Sequence, residues 1–171
     1  DRLYTFAPRN KARRSAQTAL LRIADALART LAPILVFTAD EIWENLPGRA
    51  EASVHMAEFP RAGEESHEDL LATWALLFDI RDDVLRALEE ARVAKQIGSS
   101  LEAKVTLTAF RETLELLRKY EKELRYIFIV SQVELVEGSQ SITVSRAEGE
   151  KCERCWNFST RVGESGTYPT V

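Results

Sequence analysis

Near residue 104 the spacing of apolar side chains changes from helical to alternating, and that change divides the chain. Val105, Leu107 and Ala109 alternate with Lys104, Thr106 and Thr108, the pattern of a strand with one buried face. Before it, Ala12, Ala16, Leu20, Ile23, Leu27 and Leu31 recur at helical spacing, as do Leu70, Trp74, Leu77, Val84, Leu88 and Ala91. Together these patterns predict a mainly α chain in three parts. A helical bundle covers 1–98, a small β-α-β-β unit covers 99–147, and a tail covers 148–171. The tail is too rich in Gly, Ser and Thr to hold a core alone.

Local signals set the expected boundaries. Pro33 breaks or bends the first long helix, because it lacks the N–H and clashes with the preceding turn. Thr38 with Glu41 three residues later predicts a capping box, and Asp40 and Glu41 suit the positive end of the helix dipole. That helix carries Ile42, Trp43 and Leu46 and stops at Pro47-Gly48. Residues 49–65 read as a loop with a short extended piece over 53–56. Ser66 and Asp69 are candidate caps for the next helix, and Gly98 its expected C′ residue. Phe110 to Leu124 returns to helix, and Tyr126 to Val136 suits a strand. Glu137-Gly138-Ser139 predicts a hairpin turn, with Ile142 and Val144 on the return strand.

The net charge of −4 argues against nucleic-acid binding only as a whole-chain figure. From Arg2 to Arg22 the charges are all basic, at Arg2, Arg9, Lys11, Arg13, Arg14 and Arg22, and the next acid is Asp25. At about 100° per residue, Lys11, Arg14, Thr18 and Arg22 share the face opposite the apolar stripe. One basic end on an acidic protein is an anion-binding surface, or simply a solvated face. No apolar run approaches the ~20 residues of a membrane span. The N-terminus shows no signal-peptide pattern, and the absent initiator Met fits a piece that begins in mid-protein. These features predict a cytoplasmic protein with no membrane partner.

The two cysteines stand as Lys151-Cys152-Glu153-Arg154-Cys155-Trp156. A C-x-x-C pair places two thiolates on one turn, within reach of one tetrahedral zinc at about 2.3 Å. A redox dithiol and a pair of idle thiols compete with half of a zinc knuckle. Asn157-Phe158-Ser159-Thr160 makes a poor helix, which disfavours the redox motif. His55 and His67 lie far back in the chain and are better read as surface residues than as ligands. A second thiol pair would be due about 15–20 residues on, where the sequence ends. The site is therefore expected to be incomplete. No Ser/His or Cys/His pairing, nucleotide-binding glycine motif or H-E-x-x-H occurs, so no catalytic residue is assigned.

Several stretches, in order along the chain, resemble isoleucyl-tRNA synthetases of the bacterial type. They are Arg13-Arg14-Ser15-Ala16-Gln17-Thr18, Leu31-Ala32-Pro33-Ile34-Leu35, and Phe37-Thr38-Ala39-Asp40-Glu41-Ile42-Trp43. Arg81-Asp82-Asp83-Val84, Ala91-Arg92 and Lys95-Gln96-Ile97-Gly98-Ser99-Ser100-Leu101-Glu102-Ala103 follow. Ala147-Glu148-Gly149-Glu150-Lys151-Cys152-Glu153-Arg154-Cys155-Trp156 closes the series. The resemblance implies the C-terminal anticodon-binding region of that family, with the start of its zinc knuckle. It implies a monomeric parent that attaches isoleucine to tRNA-Ile with ATP and Mg and hydrolyses mischarged valine. The family's H-I-G-H and K-M-S-K-S signatures are not in these residues, so this piece is expected to bind and not to catalyse.

A stem-loop offers phosphates to a basic helix face and unstacked bases to aromatic rings. Lys11, Arg13, Arg14 and Arg22 suit the phosphates, although Arg13 turns toward the buried edge. Arg92, Lys95 and Gln96 either reach RNA or simply suit a helix C-terminus. Trp43 and Trp74 fall on apolar stripes and read as core. Trp156 follows the metal turn, where it either stacks on a base or packs the knuckle. On the zinc-knuckle reading, the metal ligands are Cys152 and Cys155. A rival reading is a non-catalytic helical module that docks an acidic protein, with the C-x-x-C turn structural.

Overall fold

The computed structural model describes residues 2–61, 63 and 67–171, which gather into two compact units, Asp1–Ser66 and His67–Val171. Helices dominate, with one small three-stranded sheet. No helix among the described residues is long and apolar enough to cross a membrane.

The first unit is built on α1 (Arg2–Thr5), α2 (Lys11–Leu31) and α3 (Val36–Glu44), with a 3-10 turn at Val54–Met56. Asn10 starts α2: its Oδ1 accepts the backbone N–H groups of Ala12 and Arg13 at 2.9 and 3.4 Å. Pro33 does stop α2, but the chain recovers within one turn, with Leu35 N–H donating to Leu31 O at 2.8 Å. So α3 begins at Val36, earlier than the capping-box pattern predicts. Thr38 lies inside its first turn, and the helix carries no side-chain cap. Asp40 serves another purpose. Its Oδ1 accepts from Ser53 Oγ at 2.7 Å and from Val54 N–H at 2.9 Å, which forms the 3-10 turn where an extended piece was expected.

The core of this unit is Ala28, Ala32, Ala39, Trp43 and Val54. The alanines let α2 and α3 approach closely, and the Trp43 indole N–H donates to Glu51 O at 3.0 Å. The bulky stripe expected to be buried is not. Leu20, Ile23 and Leu27 are 49, 54 and 52% exposed. Their stripe is centred roughly 130° round the helix from Ala28 and Ala32.

The second unit contains α4 (Glu68–Val93), β1 (Ala103–Ala109), α5 (Arg111–Lys119), α6 (Glu121–Phe128), β2 (Gln132–Glu137) and β3 (Ser141–Arg146). Two short strands, β4 (Glu150–Lys151) and β5 (Phe158–Ser159), pair with each other. The candidate cap Ser66 lies outside the described residues. The sequence pattern groups α4 with the first helices, yet its buried Leu77, Val84, Leu88 and Ala91 share one core with Val105, Leu107, Leu124 and Phe128.

The α4 terminus also differs from expectation. Gln96 N–H donates to Ala91 O at 2.9 Å and Lys95 N–H to Arg92 O at 3.0 Å, the two bonds of a Schellman motif. The left-handed C′ residue is therefore Lys95, with φ 59°, and not Gly98. Gly98 instead donates its N–H to Glu102 Oε2 at 3.0 Å.

The largest departure concerns the hairpin. β1 lies in the middle of the sheet, parallel to β2 and antiparallel to β3, so β2 and β3 do not pair. Their connection crosses the end of β1, where Gly138 N–H donates to Ala109 O at 3.1 Å. A Cβ on Gly138 would lie 2.8 Å from Thr108 Cγ2, so a larger residue at the crossing would force that methyl or the strand end to shift. The turn signal was sound, but turn chemistry does not reveal that a third strand lies between the two it joins.

Candidate nucleic-acid interface and metal turn

In the first unit, Lys11, Arg14, Thr18 and Arg22 are all exposed along α2, as the periodicity predicts. None of the three cations has an ion-pair partner among the described residues. Arg13 behaves differently. It is half-buried, and its Nη1 donates to Phe6 O at 3.0 Å while its Nε is buried without a partner. Its guanidinium anchors the segment before α2. Further along α2, Arg22 borders a cleft of about 470 Å³ with Asp25, Arg29, Trp43, Arg49 and Glu51. Arg29 is held by Asp25 and by Glu58 O, and Arg49 by Glu44 O. Arg22 is thus the cleft's uncommitted cation among the described residues. The sequence pattern gives no sign of this cleft, because loop 46–58 that closes it carries no periodic signal.

In the second unit, Arg92 is committed. It donates to both Glu89 carboxylate oxygens, at 2.7 and 2.9 Å, and each partner holds the other's charge: Glu89 sits below the usual carboxylate range and Arg92 above its own. Lys95 and Gln96 are exposed beyond it. Trp156 is 62% exposed, with Lys151 Nζ 5.5 Å from its ring centroid, and has φ 62°. Trp43 is buried and Trp74 partly buried against the core, as expected of core rings.

Cys152 and Cys155 are free thiols on one turn, closed by Trp156 N–H to Cys152 O at 2.8 Å and Cys152 N–H to Asn157 O at 2.9 Å. Burial raises the Cys155 pKa, but hydrogen bonds from Asn157 and from Cys152, with the nearby Arg125 charge, outweigh it and hold the thiol below its ordinary value. That favours the thiolate a metal requires. Among the described residues no group of three or more His, Cys, Asp or Glu could hold a metal ion. The turn fits two of zinc's four ligands, and the described residues do not complete the set. His55 and His67 are both exposed; the His55 ring lies 3.2 Å from Val36 O. A cleft of about 560 Å³ opens beside the thiols, bordered by Arg125, Ser131, Asn157, Phe158 and Arg161.

Residues 1–107 match the family described as the anticodon-binding domain of tRNA ligase. The chain belongs to this family. Residues 149–171 match a second family, a zinc finger found in FPG and IleRS. The isoleucine–tRNA ligase of Syntrophotalea carbinolica is 46% identical over the whole chain, and that of Geobacter sulfurreducens 44% identical over 98% of it. The isoleucine–tRNA ligase of Dichelobacter nodosus is 46% identical, again over the whole chain. The chain spans about a fifth of these curated relatives: 20, 20 and 19% of their lengths.

Proposed function

We propose that this chain is the tRNA-binding part of an isoleucine–tRNA ligase, gripping the anticodon stem-loop while the rest of the enzyme joins isoleucine to tRNA-Ile. The observation that carries this reading is the α2 face, where Lys11, Arg14 and Arg22 stand exposed, with no ion-pair partner among the described residues. Phosphates approaching that face meet cations whose charge no acid has neutralised, so binding releases counterions from the RNA. Arg13 is withdrawn from this role by its inward bonds, and Arg92 must leave Glu89 to play it. Lys95, Gln96 and Trp156 are the contacts assigned to the second unit. The match to residues 1–107 takes in α4 and its terminus together with α2 and α3 and runs on into β1; we read 1–98 as one functional region, with 99–147 as the junction and 148–171 as the knuckle tail. The whole ligase is read as a cytoplasmic monomer that uses ATP and Mg and removes mischarged valine.

The test is a titration of this chain with tRNA-Ile and a non-cognate tRNA across salt concentrations. Changing Lys11, Arg14 and Arg22 together to Ala should weaken both complexes similarly. It should also flatten the log–log salt slope by roughly 0.7–0.9 for each phosphate left without its cation. An unchanged slope with unaltered circular dichroism removes α2 from the interface, and equal binding to an acidic protein favours the docking module.

Zinc, when bound, would tie the Cys152 and Cys155 thiolates into one tetrahedral centre and fix the turn that carries Trp156. With two ligands among the described residues, these 171 residues should bind zinc weakly. Stoichiometric zinc surviving a competing chelator would show that two further ligands have been missed.

A further inference from the structure

The chain's two cysteines stand on one turn, and the bonds around them hold its backbone in place. Besides the two bonds that close the turn, Asn157 Nδ2 donates to Cys155 O at 3.1 Å, and Glu153 N–H donates to Thr170 O at 2.9 Å. Upstream, the Gln132 amide clamps both backbone groups of Glu148, at 2.9 and 3.0 Å. Downstream, Phe158 N–H donates to the buried Ser131 Oγ at 2.7 Å, which ties β5 to the core. A turn of this kind brings residues three apart to within about 7 Å between Cα atoms, the limit beyond which two cysteines cannot be bridged. The two thiols already hydrogen-bond to each other. Folding has thus met the loop-closure entropy that a bond between them would cost a free chain.

The two sulfurs differ in access. Cys152 is 6% exposed and Cys155 is half-buried, and both border the cleft of about 560 Å³. A cleft of that size accepts a molecule as large as a short peptide. Two cations stand on its border. Arg161 is paired with Glu164 at 3.3 Å. Arg125 is held by the Tyr126 ring and hydroxyl, its guanidinium 4.5 Å from the ring centroid, and has no ion-pair partner among the described residues. An anion entering the cleft therefore meets a fixed cation on the same border as the more open thiol. The segment after the turn is the strand β5 and not a helix, so the motif lacks the helix start of an oxidoreductase. Any exchange here alters the state of this chain itself.

We propose that the Cys152–Cys155 turn is a thiol–disulfide exchange site for small acidic disulfides, with Cys155 as the entry thiol and Cys152 as the resolving one. The Cys155 thiolate attacks one sulfur of the small disulfide, forms a mixed disulfide and releases one small thiolate. The Cys152 thiolate then attacks the Cys155 sulfur, forms the internal bond and releases the second small thiolate. The chain has lost two electrons and two protons; the protons pass through solvent to the released thiolates, and the small disulfide ends as two thiols. Each metal-ligand sulfur is then bonded to the other, so zinc and the internal disulfide are alternatives at one turn. In a reducing compartment the dithiol prevails and the oxidised form is transient. The inference goes beyond the tRNA-binding reading and needs neither RNA nor bound metal.

The test uses the full 171-residue chain, reduced and metal-free, with glutathione disulfide as the acidic probe and hydroxyethyl disulfide as the uncharged one. The intact chain should end as a single chain lighter by two hydrogens, with Cys152 linked to Cys155 in its peptide map. Cys152→Ser should stop at a glutathione adduct on Cys155, and Cys155→Ser should form its adduct about tenfold more slowly. Arg125→Gln should slow the glutathione reaction about threefold and leave the rate with the uncharged probe unchanged. In glutathione redox buffers the internal disulfide should be favoured about tenfold more in the folded chain than in urea. A glutathione adduct that persists on the intact chain, or chains linked to each other in place of the internal bond, overturns the proposal. Equal rates for the two serine variants, or equal disulfide formation in folded and unfolded chains, overturn it as well. A ratio of the two probes' rates that Arg125→Gln leaves unchanged overturns the preference for acidic disulfides. None of these outcomes touches the α2 titration, which stands or falls separately.

Discussion

Helices α2 and α4 carry apolar stripes of similar quality, yet they meet different fates. From Leu77 onward the α4 stripe is packed into the core around the sheet, and Leu77 and Val84 are fully buried. The α2 stripe points away from its own unit, and what it buries is a neighbouring row of alanines. Periodicity therefore reports that a helix has two unlike faces; it does not report which face finds a partner. The difference also predicts unequal strength. The second unit closes a core of large side chains such as Phe128, Leu117 and Leu124 around the sheet, whereas the first relies on Ala28, Ala32, Ala39, Val54 and one tryptophan.

The sharpest way to break that comparison is to truncate one residue from each stripe or core. Phe128→Ala empties a fully buried site and should cost the second unit about 3–5 kcal/mol. Leu27→Ala removes a side chain already 52% exposed and should cost the first unit about 0.5 kcal/mol or less. Because the two units need not unfold together, native-state hydrogen exchange at β1 and α2 amides is the suitable measurement. Equal destabilisation would mean that the α2 stripe is covered in solution after all.

What could be read from the sequence follows the same division. Helices α2 and α4 and strand β1 were legible, because each imposes its own period on consecutive residues. The pairing of β2 with β1 was not, since nothing local in Gln132–Glu137 names its partner. The capping pattern at Thr38 failed because the bend at Pro33 was shorter than one helical turn, so Val36 had already begun α3. At the candidate interface, the α2 cations were legible from spacing and charge. The pairing of Arg92 with Glu89 was a close i,i+3 contact that spacing allows but does not require.

A smaller effect tests the crossing that replaced the expected hairpin. Gly138→Ala forces a Cβ to 2.8 Å from Thr108 Cγ2, and the strand end must shift to make room. The cost should be about 1–3 kcal/mol, confined to the second unit. Thr108→Ser, which removes the obstructing methyl, should recover most of it in the double variant. Absence of recovery in a denaturation cycle would place the strain elsewhere.

The smallest expected effect is one of pH, and it belongs to the first unit. The Ser53 hydroxyl and then the Val54 N–H, helped by the His55 charge, hold the Asp40 carboxyl below its ordinary value of 3.8, against the opposing pull of burial. A carboxyl whose folded pKa is depressed adds stability above its unfolded pKa and loses it as pH falls through the folded value. The Ser53–Val54 turn should therefore stay docked on α3 at neutral pH and loosen only below pH 3.8. The Trp43 indole proton reports on the same loop, because it donates to Glu51 O. Its magnetic resonance signal should move with a midpoint below 3.8, and Asp40→Asn should abolish that step. A midpoint above 3.8, or a step that survives the substitution, would show that another group anchors the loop. In the second unit, Lys104 lies between Glu134 and Glu148, and their bonds raise its pKa. By the same linkage its contribution is intact at neutral and acid pH as far as Lys104 itself is concerned. It is lost as pH rises through the raised folded value, so this contact should loosen in alkali, a step that the Asp40 contact of the first unit does not share.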